Sequence, residues 1–495
     1  VKKHTIRLHP LGKELQVNDQ TPLIDVLHEF GIEFPCGGKG TCGKCKVRLL
    51  DGEIKTTYVH QQKIEQLDLS PEWRLACFSQ CTGDITLEIE QFSHLILADE
   101  SEFKFQPQEG YGIAVDLGTT TVVAQLIDLS SANVLAVETM LNPQVKFGTD
   151  LISRIQACLD GQAFELTTII RSSIGTMIGL LLKKHPVDLQ KVVLVGNTAM
   201  QLIFSNFDVT PLSAYPFHTD NLGMKTFDPH ELGWNLKSVE NIRFYPSIGS
   251  FVGSDILAGI VATGLHQKEN YTLLIDLGTN GEIVVGNNKQ IMCASTAAGP
   301  AFEGANISMG MLAVTGAISS LNLTNGEIDA SVIGNTAPKG ICGSALIDAV
   351  AIFRKLELIG MFGEIMSGES QIHVSGKVKL TQKDINEFQL AKAAIAAGLT
   401  ILANKLSIRL SDIQEIYIAG GFGSYISIGN VVAVGMIEID EQKIRKMGNT
   451  ALIGAKMFLF SNSEIIEEIL AITQHVNLEG DPNFQDIYVD KMLLP

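Results

Sequence analysis

Four cysteines carry the first chemical signal. Three sit in one glycine-rich stretch, Pro35-Cys36-Gly37-Gly38-Lys39-Gly40-Thr41-Cys42-Gly43-Lys44-Cys45, and a fourth follows in Arg74-Leu75-Ala76-Cys77. The pattern C-x5-C-x2-C plus a distant cysteine is one residue longer than a C-x4-C-x2-C run that holds a [2Fe–2S] cluster. Glycines between the ligands let the chain wrap tightly and turn amide N–H groups toward the sulfurs. A structural zinc site is the other reading, but zinc modules usually pair two short C-x2-C knuckles, and the second is absent here. Cys36, Cys42, Cys45 and Cys77 are the expected iron ligands, with Cys81, four residues further on, as the alternative fourth. A chain with such a cluster carries electrons.

A second signal is a repeated turn. Ile113-Ala114-Val115-Asp116-Leu117-Gly118-Thr119-Thr120-Thr121 and Leu273-Leu274-Ile275-Asp276-Leu277-Gly278-Thr279-Asn280-Gly281 are both apolar strands ending in Asp-Leu-Gly-Thr. Glycine permits the tight turn and lets backbone N–H groups approach an anion. Threonine hydroxyls add donors to phosphate oxygens, and the aspartate offers a hard oxygen for Mg2+ through water. Two such turns face to face would clamp a triphosphate. A third glycine-rich element, Ile418-Ala419-Gly420-Gly421-Phe422-Gly423, follows, and no G-x4-G-K-[ST] loop is evident. Asp116 and Asp276 are thus the expected Mg2+-orienting, catalytic residues. Gly118, Thr119, Thr120, Thr121, Gly278, Thr279 and Asn280 are the expected phosphate contacts.

The elements around these motifs define the class. At 495 residues the chain needs two to four domains. Hydrophobic residues make up 45% and charged residues 18%, a globular composition, and a formal net charge of −17 argues against nucleic acid as a partner. Val1 to Leu8 alternates as a strand rather than a leader, and the greasiest stretch, Ile174 to Leu182, is too short to span a membrane. Cys81, Cys158, Cys293 and Cys342 are scattered, as suits free thiols in a cytoplasmic protein.

Residues 1–92 read as a small domain: strands Thr5 to Leu8 and Glu14 to Val17, a helix capped by Thr21 and running to Phe30, then strands Lys46 to Leu50 and Asp84 to Glu90 around the cysteine loop. Residues 93–110 are polar and irregular, a linker that either lets the small domain swing or packs as a connector. The echo of Asp-Leu-Gly-Thr divides the remainder into two similar halves, 111–270 and 271–495, with helical spacing over Ser344 to Leu356 and Leu390 to Leu406. The class is α/β.

The strand, hairpin, helix and cluster-loop order resembles a β-grasp ferredoxin. The three glycine-rich elements, in their order, resemble the actin, Hsp70, hexokinase and acetate-kinase superfamily of ATPases. That likeness implies a two-lobed ATPase with Gly420, Gly421 and Gly423 along the adenosine. The fusion of the two is similar to the reductive activators of corrinoid proteins in methyl-transfer systems. The resemblance continues through Gly196-Asn197-Thr198-Ala199-Met200, Ala298-Gly299-Pro300-Ala301-Phe302-Glu303-Gly304-Ala305, Gly340-Ile341-Cys342-Gly343-Ser344 and Gly448-Asn449-Thr450-Ala451-Leu452.

It implies an ATP-hydrolysing activase that passes one electron to a corrinoid protein, returning cob(II) to cob(I). A low-potential donor upstream would reload it, and a homodimer is left open. Larger members carry a linker and a middle domain; the short distance from the cysteine domain to Asp116 suggests that this chain lacks that middle domain. Asn197 and Glu303 sit in polar turns that either line the cleft or satisfy nearby backbone. Lys39, Lys44, Lys46 and Arg48 form either a docking face for an acidic partner or a solvated rim.

Other functions share these parts. A sugar or carboxylate kinase would need a catalytic base that the sequence does not locate. Activators of 2-hydroxyacyl-CoA dehydratases pair the ATPase fold with iron–sulfur but have no separate ferredoxin domain. A redox sensor would bind ATP according to cluster state without delivering electrons. Because the two modules are separate, Cys42→Ser is expected to abolish visible cluster absorbance while Mg-ATP binding persists; collapse of both would contradict the modular reading.

Overall fold

The computed structural model describes residues 2–9, 13–27, 32, 45–67, 69–88, 103, 105–148, 150–278, 280–304, 306–311, 316–333, 336–420, 423, 426–461 and 463–495. The N-terminal unit is a five-stranded sheet. Lys3–His9 pairs antiparallel with Lys13–Asn18 and parallel with Ile85–Glu88; Lys46–Asp51 and Trp73–Leu75 complete the order. Alternation puts Ile6, Leu8, Val47, Ile85 and Leu87 in one core, as period-2 patterning requires. Ala317 and Ile333, from the far half of the chain, belong to the same apolar cluster, so the small domain rests on the second lobe.

The expected helix from Thr21 needs correction. Thr21–Pro22 is a short strand antiparallel to Gln80–Cys81, and among the described residues of that span only Ile24–Leu27 is helical. The Thr21 hydroxyl donates to Asn18 O, so it closes the preceding turn instead of capping a helix. An unanticipated helix, Tyr58–Gln66, is capped by Thr57, whose side chain accepts from the His60 N–H.

Beyond the connector are two sheets of one design. In the first, Val134–Leu141, Thr121–Asp128 and Tyr111–Leu117 run antiparallel, then Leu189–Gly196 and Ile242–Phe244 add in parallel, with Lys225–Phe227 at the edge. In the second, Ile291–Thr296, Gly281–Gly286 and Thr272–Leu277 are antiparallel, and Glu415–Ala419 and Ile444–Gly448 add in parallel. Helices Ala163–Lys184 and Gln382–Lys405 occupy matching places, between the third and fourth strands of each design. The repeated Asp-Leu-Gly-Thr thus marks a structural duplication.

Ile174 to Leu182 lies within a helical run, Leu151–Lys184, that is long and apolar enough to cross a bilayer by length and composition, contrary to the length argument from sequence. Gly161 (φ 90°) interrupts it, and Leu166, Ile170, Ile174, Ile178 and Leu181 form a stripe at helical spacing buried in the first lobe's core.

Two nearly all-round buried helices, Ser254–Ala262 from the first half and Thr450–Phe458 from the second, pack against each other and join the lobes. A Cβ on Gly454 would lie 2.6 Å from Ala258 Cα. At the far end of this seam Tyr245 stacks on Phe458 (centroids 4.1 Å apart) and donates its hydroxyl to Phe458 O. The described part of the connector is packed here: Phe103 and Phe105 contact Phe460, the Lys456 ammonium lies over the Phe103 ring, and Lys191 bonds both Gln108 Oε1 and Leu459 O.

A helical Gly→Ala change ordinarily gains about 1 kcal/mol of propensity. At 454 the added methyl must push the helices apart, at a cost of about 1–3 kcal/mol. Gly454→Ala is therefore expected to lower the denaturant midpoint of the lobes; a raised midpoint would contradict the close crossing.

Candidate functional site

The strand register builds the thiol pair. Lys46 lies opposite Leu75, which brings the residues just outside the pair, Cys45 and Ala76, side by side, and the Ala76 N–H donates to Cys45 O. Cys77 follows in the single turn Ala76–Phe78. Its Sγ is 3.1 Å from the buried Cys45 Sγ. That is beyond a disulfide bond of about 2.05 Å, and it suits two thiolates sharing one metal, so the residues present fit an iron–sulfur centre. Cys81 faces elsewhere: it is wholly buried, donates to Gly83 O at 3.3 Å, and has its pKa raised by burial.

His60 was not anticipated. It is fully buried, its Nε2 accepts the Leu75 N–H at 3.0 Å, and its ring stacks on Phe78, so it grips the chain on both sides of Cys77. Burial, then the Arg74 charge, lowers its pKa to about 4, keeping it neutral. Nothing in the sequence around an isolated histidine signals this. Lys46 lies over Trp73, and Arg48 pairs with Glu88 and Glu72, so these cations are engaged within their own domain.

The two Asp-Leu-Gly-Thr turns and Gly420 converge across the lobes. Gly118 N–H donates to Thr121 O, closing the first turn, and Gly278 N–H to Asn280 O, closing the second. Thr119 and Asp116 each receive an asparagine amide: Asn197 Nδ2 donates to Thr119 Oγ1 at 2.9 Å and Asn449 Nδ2 to Asp116 Oδ2 at 2.8 Å. Asn197 also caps helix Thr198–Ser205, so it both satisfies backbone and touches the loop. Thr120 is exposed, and its carbonyl accepts the Asn142 N–H. Gly420 (φ 87°) presses on the second turn, where a Cβ would lie 2.5 Å from Leu277 O and 2.6 Å from Asp276 Oδ1. Gly423 is buried one turn on. Cys36, Cys42, Thr279 and Gly421 lie outside the described residues, as do Lys39, Lys44 and the side chain of Glu303.

Sequence reasoning missed two carboxylates. Asp255 opens helix Ser254–Ala262, held by the buried Ser254 hydroxyl, which bonds Gly196 N and O. Glu282 follows the second turn and accepts from Ser295 Oγ. With Asp116 and Asp276 they form an acidic floor. Burial raises Asp116 to about 6, against the opposing Asn449 bond. Burial, then Asp116, raises Asp276 to about 7. Burial, then Asp116 and Asp276, raises Asp255 to about 7 despite its Ile256 N–H bond. Burial and the neighbouring Asp255 and Asp276 push Glu282 well up. Among the described residues no three such side chains are placed to hold a metal ion. A cation on this floor would therefore rely on water or phosphate oxygens as well.

Comparison with known proteins covers nearly the whole chain. The profile described as "2Fe-2S iron-sulfur cluster binding domain" matches residues 6–82, "RACo middle region" matches 111–268, and "C-terminal domain of RACo the ASKHA domain" matches 270–495. The expectation of a missing middle domain is thereby corrected: the region so named in relatives is the first of the two lobes described above. The corrinoid activation enzyme RamQ of Eubacterium limosum is 33% identical, with 97% of each chain covered. A [Co(II) methylated amine-specific corrinoid protein] reductase of Methanosarcina barkeri is 27% identical over 77% of this chain and 76% of the relative. The solved reductive activator for corrinoid,iron-sulfur protein superposes with a TM-score of 0.67 at 28% identity, covering 99% and 98% of the two chains.

An acid whose folded pKa is raised keeps its proton in the fold over a range where the unfolded chain has lost it. The folded state then binds more protons, so stability falls as pH rises from about 4 to about 7. The thermal midpoint of the lobes, measured without divalent metal, is expected to drop across that window, and Asp255→Asn to flatten the drop. A midpoint that rises with pH equally in both proteins would contradict the acidic floor.

Proposed function

We propose, for a chain that belongs to the family of reductive activators of corrinoid proteins, that it uses ATP to return a corrinoid protein's cobalt from cob(II) to cob(I) with one electron. What supports this most is the union, in a chain similar to such activators along its length, of the Cys45–Cys77 thiol pair with two Asp-ended turns meeting at one acidic floor. A [2Fe–2S] cluster on Cys36, Cys42, Cys45 and Cys77 would supply single electrons. His60 fixes the Leu75 and Phe78 segment that presents Cys77.

The chemical difficulty is potential. For one electron, a gap of roughly 200–300 mV below an ordinary ferredoxin costs on the order of 5–7 kcal/mol. Proximity does not remove that cost. ATP helps only by binding two conformations with different affinity. The moving part this fold offers is the pair of lobes about the crossing of Ser254–Ala262 and Thr450–Phe458. ATP binding and turnover would then release the partner before the electron returns.

In this reading Asp116 and Asp276 orient Mg2+, and Thr119, Thr120, Thr121, Thr279 and Asn280 hold phosphates with the Gly118 and Gly278 backbone. Gly420, Gly421 and Gly423 flank the adenosine, while Asn197 and Glu303 line the cleft. Asp255 is the base. As water forms its bond to the γ-phosphorus and the bridging P–O bond to ADP breaks, Asp255 accepts the water's proton; a pKa near 7 suits that task. A low-potential donor reloads the chain. Cys81, Cys158, Cys293 and Cys342 are free thiols, in keeping with a cytoplasmic setting.

The test is anaerobic visible spectroscopy of a cob(II) corrinoid protein mixed with this protein and a low-potential reductant. Growth of the cob(I) band only with both the protein and Mg-ATP is expected. No cob(I) with several corrinoid proteins, despite an intact cluster and ATP turnover, would overturn the assignment.

A further inference from the structure

Two asparagines occupy matching places in the duplicated design. Gly196-Asn197-Thr198 and Gly448-Asn449-Thr450 each end a parallel strand and start a helix. Each asparagine caps its helix through Oδ1, Asn197 accepting from Met200 N at 3.0 Å and Asn449 from Leu452 N at 2.8 Å. Each then has its amide nitrogen free to reach the first phosphate turn. The partners differ. Asn197 stays within its own lobe, on Thr119, whereas Asn449 crosses from the second lobe to the Asp116 carboxylate.

We propose that Asn449 is the positioning residue that ties the arrangement of the two lobes to the orientation of the Asp116 carboxylate. The chemistry of the side chain makes the case. Capping alone is served as well by Ser or Asp. A hydroxyl can accept and donate too, but on a shorter side chain; the asparagine amide meets its own helix with Oδ1 and still reaches the carboxylate of the other lobe with Nδ2. The cap also fixes which end is which: Oδ1 must meet the Leu452 N–H, so Nδ2 must face Asp116. The helix that Asn449 starts continues from the second-lobe strand Ile444–Gly448 and crosses the first-lobe helix at the Gly454–Ala258 approach, so the amide sits beside the contact about which the lobes are joined. A change in lobe arrangement therefore turns or frees Asp116 directly, without an intervening side chain.

This inference rests on the nucleotide reading of the two turns. Asn449→Ser retains an oxygen for the Leu452 N–H but is too short to reach across, and it adds no charge. In the full-length protein with its cluster intact, ATP turnover is expected to fall at least about tenfold through kcat. The dissociation constant for Mg-ATP should stay within about threefold and the thermal midpoint should hold, because the cap survives. Asn449→Asp, also a competent cap without the amide, should lose turnover similarly and covers the case in which the serine variant folds poorly. Wild-type turnover in either folded variant would overturn the role of Asn449 alone. A parent protein that neither binds nor hydrolyses Mg-ATP would overturn the nucleotide reading beneath it.

Discussion

The close crossing of Ser254–Ala262 with Thr450–Phe458 is the contact on which the rest depends. Each helix starts at the C-terminal edge of its own sheet and carries one polar residue to the cleft: Asp255 from one, Asn449 from the other. Gly454 lets the backbones meet, and the apolar residues around it leave no solvated face on either helix. The lobes are thereby joined at one side and meet across their Asp-Leu-Gly-Thr turns. A bulkier residue at the crossing would displace Asp255 and Asn449 together, and with them the geometry around Asp116.

That geometry is electrostatically unfavourable by itself. Asp116, Asp255, Asp276 and Glu282 come from strand ends and a helix start in both lobes, and each loses solvation while facing like charge. Such a set is tolerated where a cation is part of the working state. In the proposed reading, the acidity goes with a metal–nucleotide pair rather than with a bare anion. At the other end of the same helix, Lys456 and Phe460 seat the connector from the ferredoxin unit. The acidic floor and the tether of the electron-carrying domain thus contact opposite ends of one rigid element.

Much of this was legible because it is written locally. Asp-Leu-Gly-Thr is a strand end and its turn in consecutive residues, so two copies announce the duplication before any packing is known. Cys45 and Cys77 stood out by type and by the glycine-rich loop, and Lys46–Asp51, one of the two strands that align them, alternates visibly; its partner Trp73–Leu75 is too short to do so. What escaped depends on distant residues meeting. Asp255 and Glu282 are ordinary acids in sequence and become a site only when the lobes assemble. Thr21 has the form of a cap, yet Cys81, sixty residues away, takes its backbone into a strand pair. The polar connector hid Phe103 and Phe105, whose partner Phe460 lies near the other end of the chain. The supposed loss of a middle domain came from counting residues between motifs, whereas the lobe itself is that region.

The central claim is that a metal–nucleotide pair occupies the floor between the lobes. An anaerobic crystal structure of the full-length protein with Mg2+ and a slowly hydrolysed ATP analogue tests it most directly. The account predicts density for the metal within water-mediated reach of Asp116 and Asp276, with the phosphates between the Gly118 and Gly278 turns. Nucleotide bound elsewhere, or a floor in which those carboxylates contact only protein, would contradict it.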